Sequence, residues 1–152
     1  MRSTLCVIVN RDPAALFALS QDYSRRPEWD SYLSEAHLLG DASVPAIGVD
    51  SYCKNKSGSA MVSRYVSYQP PLVAAVTMIK GPWILGRFSG SWRFERVCEL
   101  RTRVVFTYNL QTRPAILRPI IELVVSNIYT RQMKTRLESF KHWAEHPHNE
   151  NS

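Results

Sequence analysis

Two segments in the second half of the chain place large apolar side chains at alternate positions, and this pattern limits the fold more than any other feature. The apolar set consists of Phe88, Gly90, Trp92, Phe94, Val104, Phe106, Tyr108 and Leu110. Side chains along a strand point to opposite faces in turn, so each segment predicts a strand with one face toward an apolar interior and one toward water. We expect Trp92 and Phe106 to face that interior.

Most of the chain before residue 112 also predicts strands. The predicted strands cover 4–9, 32–39, 47–56, 61–68, 72–79, 84–97 and 102–110. Short turn-like connections such as "NKSGSA" make successive strands antiparallel neighbours by default. In 61–68, Arg64 shares a face with Val62 and Val66 while Tyr65 lies on the other face, so the orientation of this strand stays open.

Helices are predicted at three places. In "DPAALFAL", Asp12 suits a helix N-cap and Pro13 suits the first helical position. The stretch "DYSRRPEW" predicts a second short helix or turn, in which Pro27 either ends or starts the helix. From 114 to 143 the apolar residues recur at helical spacing, and Pro119 predicts a kink or a restart.

The apolar residues of this long C-terminal helix fall on two faces. The first stripe is Leu117, Ile121, Val124 and Ile128, and the second is Met133, Leu137 and Phe140. At about 100° per residue, the second face is rotated by roughly a third of a turn from the first. The two halves of the helix are therefore predicted to contact different surfaces.

Length, charge and cysteine content bound the class of protein. The 152 residues suffice for one domain, and the formal net charge of +6 could favour an anionic partner without setting a fold. Cys6, Cys53 and Cys98 are odd in number and far apart, which predicts buried, reduced thiols that bind no metal. The N-terminal apolar run is too short for a secretory signal, and "ILRPIIELVV" carries charges and a proline. We expect a soluble cytoplasmic protein without a transmembrane segment.

Few side chains point to a reaction. No nucleophile elbow, phosphate-binding loop or dinucleotide fingerprint occurs. His37 and Glu35 share a strand face, which allows an acid/base pair. Leu33 and Leu39 lie on the same face, so the burial of the pair stays open, and catalysis is the less favoured interpretation. Arg64 could orient the polar end of a ligand, and it would need a partner if its strand face were interior.

Other polar residues are interpreted as ordinary surface polarity. This group comprises Asp30, Asp50, His142, His146 and His148. Cations late in the last helix complement the helix dipole. They are Arg131, Lys134, Arg136 and Lys141. Because glutamates accompany them, they predict no nucleic-acid-binding stripe.

The order of elements resembles that of the START-like (SRPBCC, helix-grip) superfamily, specifically its polyketide cyclase/dehydrase-type members. The resemblance rests on the first strand running into "DPAALFAL", on "DYSRRPEW", on "FSGSWRFE" followed by "TRVVFTYNL", and on the closing helix after "RPAIL". It implies an α+β helix-grip fold, with a curved antiparallel sheet of about seven strands around the long helix and two short helices after the first strand. One domain would span 1–145, followed by a polar tail at 146–152.

The resemblance also implies an apolar cavity between sheet and helix that takes a lipid, quinone or polyketide-like molecule, with no cofactor. The residues expected around it are Trp29, Tyr32, Arg64, Tyr65, Phe88, Trp92, Phe94, Phe106, Tyr108, Leu117, Ile121, Val124 and Ile128. For the aromatic residues of the two alternating strands, packing as core is the alternative that stays open. Tyr23, Trp29 and Tyr32 are large and spaced so that they cannot all fill one small core. At least one should border the cavity mouth, and Trp29 is the expected gate because Pro27 fixes the chain just before it.

Three functions stay open at this point. Binding of a hydrophobic small molecule is the leading hypothesis. The second is a polyketide cyclase or dehydratase, in which the cavity folds the substrate and a few polar groups shift protons. The third is an interaction protein that docks on a membrane-associated or RNA-rich complex, without sequence-specific recognition of nucleic acid. A homodimer is left open.

Overall fold

The computed structural model describes residues 1–146 as a curled seven-stranded antiparallel sheet and a long C-terminal helix. The strands are β1 Arg2–Val9, β2 Leu33–Leu38, β3 Asp50–Asn55, β4 Ala60–Gln69, β5 Val73–Lys80, β6 Leu85–Cys98 and β7 Arg101–Thr112. The helices are α1 Pro13–Ser20, α2 Arg26–Trp29 and α3 Arg118–Glu145. The sheet order is β1-β7-β6-β5-β4-β3-β2. The predicted α+β architecture is confirmed.

Local sequence sets where the helices begin. The Asp12 carboxylate accepts a hydrogen bond from the Ala15 backbone N–H at 3.1 Å, and Pro13 is the first residue of α1, as predicted. In the second predicted helix, Pro27 lies in the first turn of α2 rather than at its end. A 3-10 turn at Ala115–Leu117 precedes α3, which starts at Arg118 with Pro119 next. The helix therefore restarts at Pro119 rather than kinking.

The inward faces of β6 and β7 follow the predicted alternation. Trp92 and Phe106 are 8% and 6% exposed, and Phe94, Val104 and Tyr108 are fully buried. Trp92 and Phe106 are register partners, and their rings meet edge to face with centroids 5.3 Å apart. The prediction that both aromatic side chains face the interior is confirmed.

A bulge settles the orientation of β4. Ser63 and Tyr65 point inward, while Val66 is 53% exposed. The register with β5 then shifts between Tyr65 and Ser67. The extra residue brings Tyr68 back to the interior side, where its ring lies 5.4 Å from that of Phe17. Strict alternation could not resolve this strand because the bulge breaks the period of two.

The inward face of α3 differs from the predicted one. Its buried residues are Ser126, Met133, Leu137, Phe140 and Ala144, with Val125 and Tyr129 partly buried against the core. They recur three or four residues apart and form one continuous stripe. Leu117, Val124 and Ile128 are instead about half exposed.

The second predicted stripe, Met133, Leu137 and Phe140, is buried as expected, whereas the first stripe is not. The prediction that the two halves contact different surfaces is therefore wrong, and hydrogen bonding supplies the reason. The Tyr108 hydroxyl lies 3.1 Å from the Ser126 Oγ and also hydrogen-bonds the Thr130 hydroxyl. A buried phenol needs such partners, so a polar residue of α3 rather than its most apolar ones faces the sheet at this level.

The remaining predictions have mixed outcomes. Cys6 and Cys98 are exposed rather than buried, and Cys53 is half-buried; all three are free thiols. His142 and His146 are exposed, as expected. His148 and the polar tail beyond residue 146 lie outside the described residues. Within residues 1–146, no helix combines the length and hydropathy needed to cross a membrane.

Candidate functional site

A cavity of about 340 Å³ lies between the concave face of the sheet and α3. Its apolar wall includes Phe88, Trp92 and Phe106 from the two aromatic strands, with Val125 and Tyr129 of α3 opposite. α3 packs mainly on β1 and β7, so the space between the helix and the middle strands of the sheet is not filled by packing.

Gly90 keeps part of this space open. It belongs to the inward-facing set of β6 and lines the cavity between Phe88 and Trp92. A Cβ atom added at Gly90 would lie only 3.1 Å from the Cζ of Phe106. A side chain here would force the Phe106 ring to move, so glycine lets the strand curve without losing cavity volume.

One end of the cavity is polar. Gln21 and Tyr23 reach it from the segment between α1 and α2, Arg26 from the start of α2, and Tyr65 from β4. The Tyr65 hydroxyl donates to the Gln21 Oε1 at 2.7 Å, and the Tyr23 and Tyr65 hydroxyl oxygens are 2.8 Å apart. Because Tyr65 donates its hydroxyl hydrogen to Gln21, Tyr23 is the donor in the hydrogen bond between the two tyrosine hydroxyls. Hydrogen bonds therefore join Gln21, Tyr65 and Tyr23 at this end of the cavity.

A buried ion cluster adjoins this polar end. Asp30 has no solvent exposure, and its Oδ2 accepts hydrogen bonds from the Arg136 Nη2 at 2.6 Å, the Arg136 Nε at 3.1 Å and the Arg26 Nε at 3.1 Å. The Asp30 Oδ1 accepts from the backbone N–H of Tyr32 at 3.3 Å. The carboxylate thus ties α2 to α3, and both of its arginine partners line the cavity.

Burial and charge shift the acidities of these groups. Burial would raise the pKa of Asp30, but the guanidinium groups of Arg26 and Arg136 outweigh it and hold that pKa below its ordinary value. Burial raises the pKa of Tyr23, of Tyr65 and of the Cys53 thiol. At neutral pH, the cluster is therefore charged and the hydroxyls and thiol around it are neutral.

The structure brings five of the predicted cavity residues to the cavity. They are Tyr65, Phe88, Trp92, Phe106 and Ile128. Phe94 and Tyr108 are buried in the core beside the wall rather than in it. Tyr32 is half-buried, with its ring about 6.0 Å from the guanidinium carbon of Arg136. Leu117, Ile121 and Val124 lie away from the cavity, because α3 turns a different face to the sheet.

Trp29 is part of the core and is not among the residues that line the cavity. It is 4% exposed, and its ring packs edge to face on Phe140 and Trp92, with centroids 4.9 and 6.2 Å away. Of the three aromatic residues considered for the mouth, Tyr23 is the one that lines the cavity. Pro27 lies in the first turn of α2, which ends at Trp29, and the guanidinium carbon of Arg26 lies 4.8 Å from the centre of the Trp29 ring.

Arg64 lies on the outer surface of the sheet. Its side chain is 49% exposed, and its Nε donates to the Asp50 Oδ1 at 2.8 Å. This placement follows from ordinary alternation, because its neighbours Ser63 and Tyr65 point inward. His37 and Glu35 form an exposed pair with 3.0 Å between the His37 Nε2 and the Glu35 Oε1, outside the cavity.

Sequence reasoning missed the buried ion cluster. It assigns Asp30 to turn polarity and Arg136 to a dipole-compensating surface cation, and both interpretations are wrong. A signal is present: Arg136 lies between Met133 and Leu137 and four residues before Phe140, so it borders an apolar stripe. A charge at such a position predicts a buried partner. A second signal is the spacing of Arg26 and Asp30, which are four residues apart.

No metal centre is formed by the part of the chain that the structure describes. Among residues 1–146, no three His, Cys, Asp or Glu side chains come close enough together to hold an ion. The lining of the cavity offers an aromatic wall, hydroxyl groups and guanidinium groups.

Comparison with protein families gives a match over nearly the whole chain. The profile of the family described as polyketide cyclase / dehydrase and lipid transport matches residues 2–145. A search of curated proteins found no match.

Solved structures share the fold at low sequence identity. The Zhui aromatase/cyclase from Streptomyces sp. R1128 has a TM-score of 0.79 and 19% identity, over 95% of this chain and 93% of that one. A protein from Thermus thermophilus has a TM-score of 0.78 and 11% identity, over 95% and 97%. A START superfamily protein from Mycobacterium smegmatis has a TM-score of 0.75 and 8% identity, over 93% and 97%. At these identities, the likeness shows the fold alone.

Proposed function

The chain belongs to the polyketide cyclase / dehydrase and lipid transport family of the START-like superfamily, and we propose that it binds a hydrophobic small molecule between its sheet and α3. The observation that carries this proposal is the cavity of about 340 Å³, with an apolar wall and polar groups gathered at one end. Small-molecule sites are typically concave, largely apolar and about 300–1,000 Å³ in volume, with a few polar groups that orient the ligand. A lipid, a quinone or a polyketide-like molecule fits this description.

The cavity lining supports binding ahead of proton-transfer catalysis. Among the described residues, its ionisable side chains are Tyr23, Arg26, Cys53, Tyr65, Tyr129 and Arg136. General acid–base catalysis works best with a group whose pKa lies near the working pH, usually a histidine or a carboxylate. Burial instead raises the pKa of the Tyr23 and Tyr65 hydroxyls, and it raises that of Tyr129 to about 12. These groups keep their protons at pH 7 and serve as hydrogen-bond donors.

Cyclisation of a polyketide-like chain is a second candidate function, and one observation favours it. The Nη donors of Arg26 lie at the polar end of the cavity, where they could hold a carbonyl group while the aromatic wall folds the rest of the chain. Turnover of a poly-β-ketone substrate to an aromatic product would establish this function. Saturable binding without turnover would leave ligand binding as the function.

Tryptophan fluorescence tests the binding proposal. Trp92 lines the cavity, so 1,4-naphthoquinone should quench the fluorescence of the protein saturably. Trp92→Phe should reduce the amplitude of this quenching. The matched control is Trp83→Phe, because Trp83 is 65% exposed and is not part of the cavity wall. Quenching that rises linearly and equally in all three proteins would contradict the proposal.

A further inference from the structure

The polar end of the cavity holds more positive than negative charge. Arg26 and Arg136 contribute two guanidinium groups, and both pair with the single carboxylate of Asp30. One positive charge is therefore left without a counter-charge in this cluster. The two arginine side chains are only 13% and 11% exposed, so solvent cannot fully screen that charge.

The excess charge comes with unused hydrogen-bond donors. A guanidinium group has five N–H donors. Within residues 1–146, Arg26 makes a side-chain hydrogen bond only through its Nε, so neither of its Nη groups has a protein acceptor. Both arginine side chains line the cavity, which makes its interior the space where such an acceptor could lie.

Packing holds Arg26 at this position. Its guanidinium carbon lies 4.8 Å from the centre of the Trp29 ring, and its Nε is fixed by Asp30. Trp29 is itself fixed by Phe140 and Trp92. Trp29 and Asp30 thus fix the guanidinium group of Arg26 where it lines the cavity.

The other ionisable groups nearby do not supply a second negative charge. Burial raises the pKa of Tyr23, of Tyr65 and of the Cys53 thiol, which keeps all three neutral at pH 7. A ligand is the remaining source of a counter-charge inside the cavity.

We propose that the cavity selects amphipathic molecules with one carboxylate group, which Arg26 binds while the apolar part lies against Phe88, Trp92 and Phe106. This inference rests on the proposed function and adds the ligand class to it. The planar guanidinium group matches a carboxylate through two parallel charge-assisted hydrogen bonds, which are among the strong ones in proteins. A neutral ligand of the same length would leave the Nη donors and the excess charge unpaired.

Two probes that differ only in the head group test this inference. Decanoate and decan-1-ol are titrated into the protein by calorimetry at about pH 7.5, where the acid is ionised. Decanoate is expected to bind at least about tenfold more tightly than the alcohol. Arg26→Gln should weaken decanoate binding by about tenfold or more and change alcohol binding less than about twofold. Asp30 keeps its hydrogen bonds from Arg136 in this variant, so the buried carboxylate stays paired.

Two further variants separate the ligand contact from a structural effect. Arg25→Gln removes the neighbouring cation, which pairs with Glu28 at the surface, and should change neither affinity. Arg26→Lys keeps the charge but not the planar group, and should retain more decanoate affinity than Arg26→Gln. Equal binding of the two probes by the unsubstituted protein, or equal weakening of both by Arg26→Gln, would overturn the inference. If naphthoquinone also fails to quench the fluorescence of the unsubstituted protein saturably, the proposed function is overturned together with this inference.

Discussion

Asp30 and Arg136 are 106 residues apart in the chain, yet the Arg136 Nη2 donates to the Asp30 Oδ2 at 2.6 Å inside the protein. The bond joins the end of α2 to the middle of α3. Because Arg26 donates to the same oxygen, one carboxylate fixes both the short helix and the polar end of the cavity. The site is therefore built on an ion cluster that also holds the fold together.

Removing the carboxylate should strongly destabilise the protein. Asp30→Ala leaves two buried guanidinium groups without a counter-charge, and breaking a buried ion pair typically costs about 3–5 kcal/mol. Urea denaturation monitored by circular dichroism measures the change in the free energy of unfolding. Asp50→Ala is the matched control, because it breaks a surface pair with Arg64 and should have a much smaller effect. Equal effects of the two substitutions would mean that the buried cluster contributes no more to the free energy of unfolding than a surface ion pair does.

Trp29 should contribute to stability as a core residue. Trp29→Ala removes a side chain that is 4% exposed and is expected to cost about 3–5 kcal/mol of unfolding free energy. Trp83→Ala, at a position that is 65% exposed, should change the stability little. A stable Trp29→Ala variant with altered ligand affinity would instead restore Trp29 as the gate of the cavity.

Neighbouring apolar residues of α3 should differ in their contribution to stability. Leu137 is 3% exposed and Val124 is 52% exposed. Leu137→Ala is expected to cost about 2–5 kcal/mol, whereas Val124→Ala should fall within about 0.5 kcal/mol of the unsubstituted protein. Thermal and urea unfolding of both variants measure this. A large cost at Val124 would show that the stripe predicted from the sequence faces the core after all.

Alkaline pH should destabilise the fold partly through Tyr129. Burial raises the pKa of Tyr129 to about 12, above an unfolded value of about 10. The protonated phenol thus favours the folded state, and its contribution is complete below about pH 10 and lost as the pH rises toward about 12. Tyr129→Phe cannot ionise and should lose less stability between about pH 9 and about pH 11. Parallel pH profiles for the two proteins would contradict this assignment.

The sheet could be predicted from the sequence because its signal is local. The alternation of Phe88, Trp92 and Phe106 with polar neighbours depends only on the period of a strand, and the structure confirms it. Even where the signal failed, in β4, the cause was one extra residue, Val66, that reversed the following side chains. The local pattern of apolar residues therefore suffices to predict the strands, and it fails to predict side-chain orientation at a β-bulge.

The site could be predicted only in part, because its polar end depends on contacts between distant parts of the chain. No local pattern shows that Asp30 meets Arg136, and hydropathy wrongly assigned the inward face of α3 to Val124 rather than Ser126. The hydroxyl of Tyr108, which lies in β7, forms a hydrogen bond with Ser126 and so determines which face of α3 points inward. Apolar wall residues were identifiable from alternation, whereas buried polar partners required the tertiary structure.

The most direct test is an NMR titration with 1,4-naphthoquinone that follows two adjacent methyl-bearing residues of α3. Val125 lines the cavity, whereas Val124 is 52% exposed on the outer face of the same helix turn. Binding inside the cavity predicts saturable shifts of the Val125 methyl signals, with those of Val124 nearly unchanged. Shifts at Val124 without shifts at Val125, or no saturable shift at either residue, would contradict a ligand site between the sheet and α3.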